Sequence, residues 1–160
     1  MNTPVFREEV KPSDVEAVRN ILESSGYFYK EEINVGVELV EESLSKGISS
    51  GYHFIFAEEG ERVIGYTCFG KIACTKASFD LYWIAVHNDC RSKGLGKKLL
   101  NLSEKKIASM GGKRIYVETS NRPQYESTRV FYIKCRYNVE AILKDFYGDG
   151  DDKVIFIKKV

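Results

Sequence analysis

One glycine-rich segment organises the sequence: Arg91-Ser92-Lys93-Gly94-Leu95-Gly96-Lys97. It follows a mostly apolar run of strand length, residues 79–86, and it opens a stretch in which leucines recur at helical spacing until Gly111-Gly112. A strand, a glycine loop and a helix in this order bring free backbone N–H groups and the positive end of a helix dipole to one point. The segment therefore predicts a binding site for an anionic, phosphorylated ligand.

The spacing of the glycines narrows the choice of ligand. The segment does not match G-x-x-x-x-G-K-[ST], the phosphate loop of nucleotide triphosphatases. It also lacks the G-x-G-x-x-G pattern with a following acidic residue that marks dinucleotide binding. ATP and NAD are therefore disfavoured as ligands.

Working outward, hydrophobic periodicity predicts a mixed α/β layout in which hairpins surround a single strand–helix–strand crossover. Ser13 and Glu16 are expected to form a capping box at the first helix. Before the glycine loop we predict a strand, two helices and a hairpin, at residues 5–8, 15–22, 33–44, 53–58 and 63–70. After its helix we predict a strand, a helix and a second hairpin, at residues 114–118, 124–134, 138–147 and 153–159.

Length and composition predict one soluble domain over residues 1–160. The chain is 43% hydrophobic and 29% charged with a net charge of +1, which disfavours disorder and obligate polyanion binding. It has no apolar run long enough for a membrane span and no signal-peptide pattern, so we expect a cytoplasmic protein without a membrane partner. The four cysteines include no C-x-x-C pair and only two histidines are present, so we expect reduced thiols and no metal.

Charge is distributed unevenly along the chain. Residues 1–62 carry 13 acidic and 6 basic side chains, whereas residues 91–114 carry 8 basic and 1 acidic. This polarity suits an anionic cofactor at one site and a cationic substrate near it. The basic stretch lacks interleaved aromatic residues, so we do not expect nucleic-acid binding.

Three segments resemble the GNAT superfamily of acetyl-CoA-dependent N-acetyltransferases. Arg91, Gly94 and Gly96 match its pyrophosphate loop, Q/R-x-x-G-x-G/A. Residues 81–86 are similar to its central strand, whose backbone pairs with the pantetheine arm of CoA. Residues 128–137 are similar to its F-Y-x-x-x-G-[FY] signature, with Arg136 in place of the glycine.

The resemblance covers essentially the whole chain, because the order of the predicted elements is the GNAT order. It implies an α/β (mixed α+β) fold with a central, mostly antiparallel sheet of about seven strands flanked by four helices. Within the superfamily, the sequence is most similar to the branch of ribosomal-protein alanine acetyltransferases. The cofactor-binding residues that the resemblance implies for acetyl-CoA are Ile84, Ala85, Val86, Arg91, Ser92, Lys93, Gly94, Leu95, Gly96, Lys97 and Asn121.

Acetyl transfer to an amine needs two proton transfers. A lysine-like amine with a pKa of about 10.4 is deprotonated in only about one molecule in 2,500 at pH 7, so a general base is needed. The resemblance implies Asp80 or Glu118 for this role. The departing thiolate needs a proton donor, which a tyrosine hydroxyl provides, and the family places this tyrosine at Tyr132.

The acceptor stays open between a small molecule and a peptide amine. Tyr27, Phe28 and Tyr147 are candidates for the walls of its pocket, and His87 is not assigned because it leads into the glycine loop. Exposed strand edges allow a homodimer. The alternative function is a catalytically silent acyl-CoA-binding regulatory module, which tight CoA binding without amine turnover would reveal.

Overall fold

A computed structural model describes residues 3–160 and contains one seven-stranded sheet. The strands are Val5–Arg7 (β1), His53–Glu59 (β2), Arg62–Lys71 (β3), Ser78–Val86 (β4), Arg114–Ser120 (β5), Asn138–Gly148 (β6) and Asp151–Lys159 (β7). Their spatial order is β1-β2-β3-β4-β5-β7-β6, and every neighbouring pair is antiparallel except β4 and β5. The predicted fold class, a mixed and mostly antiparallel sheet with four helices, is confirmed.

Within residues 3–160, four α-helices cover the two faces of the sheet. They are Asp14–Ser25 (α1), Lys30–Lys46 (α2), Leu95–Ser109 (α3) and Glu126–Lys134 (α4). The apolar faces of α1 and α2 bury Val18, Ile21 and Val37 against strand residues such as Phe56. The leucine stripe of α3 forms a second core on the other face, together with Tyr132 of α4. The sheet therefore separates two hydrophobic cores, and the helical periods of the sequence face them.

Helix α1 begins differently from the prediction. The capping box of Ser13 and Glu16 is wrong, because the Ser13 side chain makes no capping hydrogen bond. The fully buried carboxylate of Asp14 instead accepts hydrogen bonds from Arg7 Nη1 at 2.8 Å and from the backbone N–H of Lys11 at 2.7 Å. A contact with β1 and a local bond to Lys11 therefore fix this helix start in place of the predicted capping box.

Strands β4 and β5 pair over only three residues. Ser78–Asp80 lie opposite 114–116, and no β4–β5 pairing follows. Strand β4 also carries an irregularity near Tyr82, because Phe69 and Cys68 of β3 pair with Leu81 and Trp83. The two strands thus separate from Leu81 onward, and the β5-facing backbone groups of β4 are left without a strand partner. This opening positions the candidate site.

Helix α4 ends on a residue in a left-handed conformation. A 3-10 turn, Pro123–Tyr125, precedes the helix, so it begins two residues later than predicted. At its end Arg136 has φ 70°, and the backbone N–H of Tyr137 donates to the Tyr132 carbonyl at 2.9 Å. Arg136 therefore adopts the backbone conformation that favours glycine. The turn expected from the F-Y-x-x-x-G-[FY] signature therefore forms, although Arg136 stands in place of the glycine.

Candidate functional site

A cavity of about 490 Å³ lies beside the opening between β4 and β5. It combines the end of β4, the glycine loop, the start of α3, one face of α4 and the loop after α1. The predicted cofactor-binding residues that line it are Ile84, Ala85, Val86, Arg91, Ser92, Gly94, Leu95, Gly96 and Lys97. The structure therefore brings nine of the eleven together.

The glycine loop presents free amides to this cavity. Ser92 and Gly94 have φ values of 65° and 78°, and α3 begins directly after Gly94. The first hydrogen bond of the helix runs from the N–H of Lys98 to the Gly94 carbonyl at 3.1 Å. The N–H groups of Leu95, Gly96 and Lys97 lie in the first turn and have no carbonyl partner within the helix, so they remain available to an anion.

The charge of the lining suits a polyanionic ligand. Its basic residues are Arg91, Lys97 and Lys134, and none of the lining residues is acidic. The side chains of β4 and of the α1–α2 loop add apolar walls. A ligand with both phosphate groups and an uncharged arm fits these two surfaces.

Helix α4 contributes residues that sequence reasoning missed. Thr128, Phe131 and Cys135 lie at spacings of three and four and face the cavity together with Ser127 and Lys134. Helical periodicity contained this signal, since positions at these spacings share one face of a helix. Phe131 packs close to the glycine loop, because a Cβ atom placed on Gly96 would lie 3.5 Å from the Phe131 ring.

Two predicted cofactor contacts do not line the cavity. Lys93 is exposed at the loop tip and is absent from the lining residues. The side-chain oxygen of Asn121 accepts a hydrogen bond from the backbone N–H of Asp152 at 2.9 Å, and the backbone N–H of Asn121 donates to the Asp152 carbonyl at 3.0 Å. Asn121 thus fastens the end of β5 to β7, which is a structural task.

Tyr132 lies one helix position from the cavity wall. Its side chain is only 4% exposed and packs against Phe131, Tyr137 and Phe156 at ring distances of 5.5 to 5.6 Å. Among residues 3–160 its hydroxyl has no hydrogen-bond partner. Burial raises its pKa, and Tyr27 adds to the shift. The hydroxyl is therefore protonated at neutral pH and has a free proton to donate.

The two carboxylates proposed as bases have different surroundings. Asp80 is the last β4 residue paired with β5, and within the described chain its carboxylate has no hydrogen-bond or ion-pair partner. Burial raises the pKa of Asp80, Glu118 raises it further, and Lys153 opposes the shift. Glu118, about half exposed, forms an ion pair with Lys153 at 2.9 Å. One carboxylate is therefore unpartnered and the other is paired.

An aromatic wall closes the α1–α2 side of the site. The rings of Tyr27 and Phe28 line the cavity and lie 4.6 Å apart. Tyr27 packs edge-on to Tyr125 at 5.5 Å, and Phe28 does the same with Trp83 at 5.3 Å. The predicted wall residues Tyr27 and Phe28 are thus at the cavity.

A polar cluster fastens this wall to the loop after β5. The hydroxyl of Tyr125 donates to Glu32 at 2.7 Å. The guanidinium of Arg122 contacts the same carboxylate at 3.3 Å and stacks over Tyr29 at 4.3 Å. Glu32 also accepts the backbone N–H of Tyr29 at 2.9 Å. The start of α2 is therefore held against the β5–α4 connection.

Tyr147, the third predicted wall residue, lies on β6. It is 48% exposed, and its ring is 5.1 Å from that of Phe146. Burial raises the pKa of Tyr147 to about 12, with Glu118 and Asp151 adding to the shift. Tyr147 therefore lies near the paired carboxylate Glu118, and it is not among the residues that line the cavity.

The opened strand pair, the glycine loop and the cationic cavity together define the fold of an acyl-CoA N-acyltransferase. The chain belongs to the Acetyltransferase (GNAT) family, whose sequence profile matches residues 15–134. The closer resemblance to ribosomal-protein alanine acetyltransferases stays a prediction.

Solved structures and a curated relative agree with this assignment. A Desulfovibrio desulfuricans protein described as a GNAT-family acetyltransferase is 41% identical, with a TM-score of 0.96 over 98% of this chain and 99% of that one. An uncharacterized N-acetyltransferase from Methanocaldococcus jannaschii is 29% identical over 106 residues, which are 66% of this chain and 65% of that protein. This match spans slightly less than two thirds of the relative.

A more distant structure shares the fold. The PaiA N-acetyltransferase from Thermoplasma acidophilum, solved in complex with coenzyme A, is 20% identical. Its TM-score is 0.73 over 98% of this chain and 99% of that chain.

Two further findings concern the described residues. Between residues 3 and 160, no helix has both the length and the apolar character needed to cross a membrane. Within the same range, no group of three or more His, Cys, Asp or Glu side chains is arranged to hold a metal ion.

Proposed function

We propose that this protein transfers the acetyl group of acetyl-CoA directly to a primary amine of a small molecule or peptide. The observation that carries the proposal is the cavity at the opened strand pair, with its free helix amides and its basic side chains Arg91, Lys97 and Lys134. The proposal takes residues 1–160 as one catalytic domain in the cytoplasm, acting alone or as a homodimer.

The phosphates and the uncharged arm of coenzyme A match the basic and apolar parts of the cavity lining. Its phosphates suit the helix start and the cationic lining, and its pantetheine arm suits the unpaired backbone of β4 beside Ile84 and Ala85. The coenzyme A complex of the Thermoplasma acidophilum neighbour supports the same ligand. Acetyl-CoA is thus the co-substrate that the site supports best.

Acetyl-CoA is expected to stabilise the protein. At about 100 times its dissociation constant it should add about 2.7 kcal/mol to the free energy of unfolding, and CoA should do so at its own equivalent concentration. Differential scanning fluorimetry with acetyl-CoA, CoA, ATP and NAD in parallel measures this. Arg91→Gln should weaken the response to both CoA species, because it removes one of the three basic lining residues. No rise with either CoA species would contradict the assignment of the cavity.

The proposed chemistry follows from the two groups that can move protons. A carboxylate, Asp80 or Glu118, takes a proton from the attacking amine, directly or through water. The N–C bond forms, the C–S bond breaks, and the Tyr132 hydroxyl gives a proton to the departing thiolate. The Tyr132 hydroxyl makes no hydrogen bond to residues 3–160, and burial of the residue raises its pKa and keeps it protonated, which supports its assignment as the acid.

Replacing Tyr132 with phenylalanine should lower kcat roughly 10- to 100-fold with little change in stability. The rate falls because the thiolate loses its proton donor. Stability is kept because the Tyr132 hydroxyl has no protein partner to lose, while the ring packing stays. Thiol release with a reactive amine and thermal unfolding measure the two effects. The control is Tyr137→Phe, whose hydroxyl donates to Glu104 at 2.8 Å, so it should cost stability more than rate. Full activity in Tyr132→Phe would remove this residue from the mechanism.

An amine panel separates this enzyme from the silent alternative. Turnover with any acceptor supports acetyl transfer. Tight binding of CoA without turnover across amino acids, polyamines, aminoglycosides and peptides would favour a regulatory acyl-CoA-binding module.

A further inference from the structure

Lys153 is enclosed on the same face of the sheet as the two carboxylates. It lies on β7 opposite Ser120 of β5, and the next cross-strand pair on the same face of the sheet is Ile155 with Glu118. Alternate residues of a strand share a face, so Lys153 and Glu118 are diagonal neighbours. Their side chains meet at 2.9 Å.

The ammonium group of Lys153 is held from two sides. Its Nζ lies 3.7 Å from the centre of the Phe146 ring and 5.8 Å from that of Tyr147, both on β6. The side chain is only 11% exposed, although β7 carries it near the end of the sheet. An ammonium group between a carboxylate and an aromatic face has little freedom to leave. The rings of β6 therefore support the pair that Lys153 forms with Glu118.

Asp80 faces few other charges. The charged groups near it are Glu118 from β5 and Lys153 from β7, and Tyr82 is the titratable neighbour on β4 itself. The β3 residue opposite Asp80 is Gly70, which adds no charge. Tyr147 on β6 faces Glu118 from the other side. Among the described residues, Lys153 is thus the one cation that favours the charged form of Asp80, and it forms the ion pair with Glu118.

We infer that Lys153 is a positioning residue of the active site: its ammonium group holds Glu118 in an ion pair and leaves Asp80 as the carboxylate that accepts the proton of the attacking amine. The inference rests on the proposed acetyl transfer. A base needs an unoccupied oxygen. The carboxylate of Asp80 has no partner among residues 3–160, whereas that of Glu118 is engaged by Lys153 at 2.9 Å. The charge of Lys153 also favours the ionised form of Asp80 against the burial that opposes it.

Removing this charge should change the titration of Asp80. In Lys153→Met the pKa of Asp80 rises, because the attraction of the ammonium group is lost while burial and Glu118 remain. The base form then disappears at a higher pH, so the acid limb of kcat/KM moves upward. In Glu118→Gln the opposite holds: a neighbouring negative charge is removed, and the pKa of Asp80 falls.

The experiment follows the Asp80 carboxyl carbon by NMR titration and, in parallel, the pH profile of kcat/KM. Lys153→Arg keeps the charge and should retain both midpoints. Lys144→Met, which removes an exposed lysine paired with Asp152 on the same hairpin, should also retain them. A folded Lys153→Met protein with an unmoved Asp80 titration and acid limb would overturn the inference. A loss of turnover in Glu118→Gln as large as that in Asp80→Asn would overturn it too. If the wild-type protein turns over no amine, the proposed function fails, and the NMR titration then tests the coupling alone.

Discussion

Replacing Asp80 with asparagine should lower kcat/KM about 100-fold or more at neutral pH, the largest effect that we expect on activity. The amide cannot accept a proton from the attacking amine. Asp80 has no protein partner among residues 3–160, so its replacement breaks no hydrogen bond or ion pair. Burial disfavours its charge, so a neutral side chain should leave the free energy of unfolding unchanged or slightly higher. Rate and stability are therefore expected to separate at this position.

The measurement is steady-state thiol release, with thermal unfolding and CoA binding as companions. Asp149→Asn changes an exposed carboxylate in the β6–β7 turn and serves as the matched control, with activity like that of the wild type. Glu118→Gln is the informative comparison, because it should cost only a few-fold if Asp80 is the base. An Asp80→Asn protein that folds, binds CoA and turns over at the wild-type rate would exclude Asp80 from proton transfer.

Asp14→Ala should produce the largest loss of stability, about 3–5 kcal/mol. The fully buried carboxylate of Asp14 is bonded to Arg7 and to the N–H of Lys11, and Arg7 also contacts Glu58 and stacks on Phe56 at 4.6 Å. Removing the carboxylate leaves a largely buried guanidinium with one anion fewer and frees the start of α1. For a chain of 160 residues this corresponds to a fall in Tm of roughly 10 °C.

Glu16→Ala supplies the control in the same first turn of α1. Glu16 is exposed and makes no capping hydrogen bond with Ser13, so only its favourable interaction with the helix dipole is lost. That loss is about 0.3–1 kcal/mol. Chemical denaturation of both variants compares them directly. Equal stability losses would show that the contact with Arg7 does not anchor the helix.

Much of the site was predictable because its elements are local in sequence. The glycine loop, the apolar strand before it and the leucine stripe after it lie in one continuous stretch, and backbone geometry turns that stretch into a cradle. Phe131 was missed, although its spacing from Thr128 and Cys135 places the three on one helix face. Tyr132 was predicted only through the resemblance to the family signature. The role of Asn121 was not predictable, because its side-chain amide could form hydrogen bonds with a ligand or with a neighbouring strand. Only the pairing of β5 with β7 shows that it bonds to Asp152.

The amino-acid sequence by itself determined the order of helices and strands and the anion-binding loop, since apolar periods and turn residues act over short distances along the chain. The two candidate carboxylates followed from the resemblance of the sequence to the family. Only the tertiary structure decided how those carboxylates differ. Glu118 meets Lys153 because β7 inserts between β5 and β6, and Asp80 stays unpartnered where β4 and β5 begin to separate. These relations depend on which strands become neighbours in the sheet, and strand order arises from packing over the whole chain.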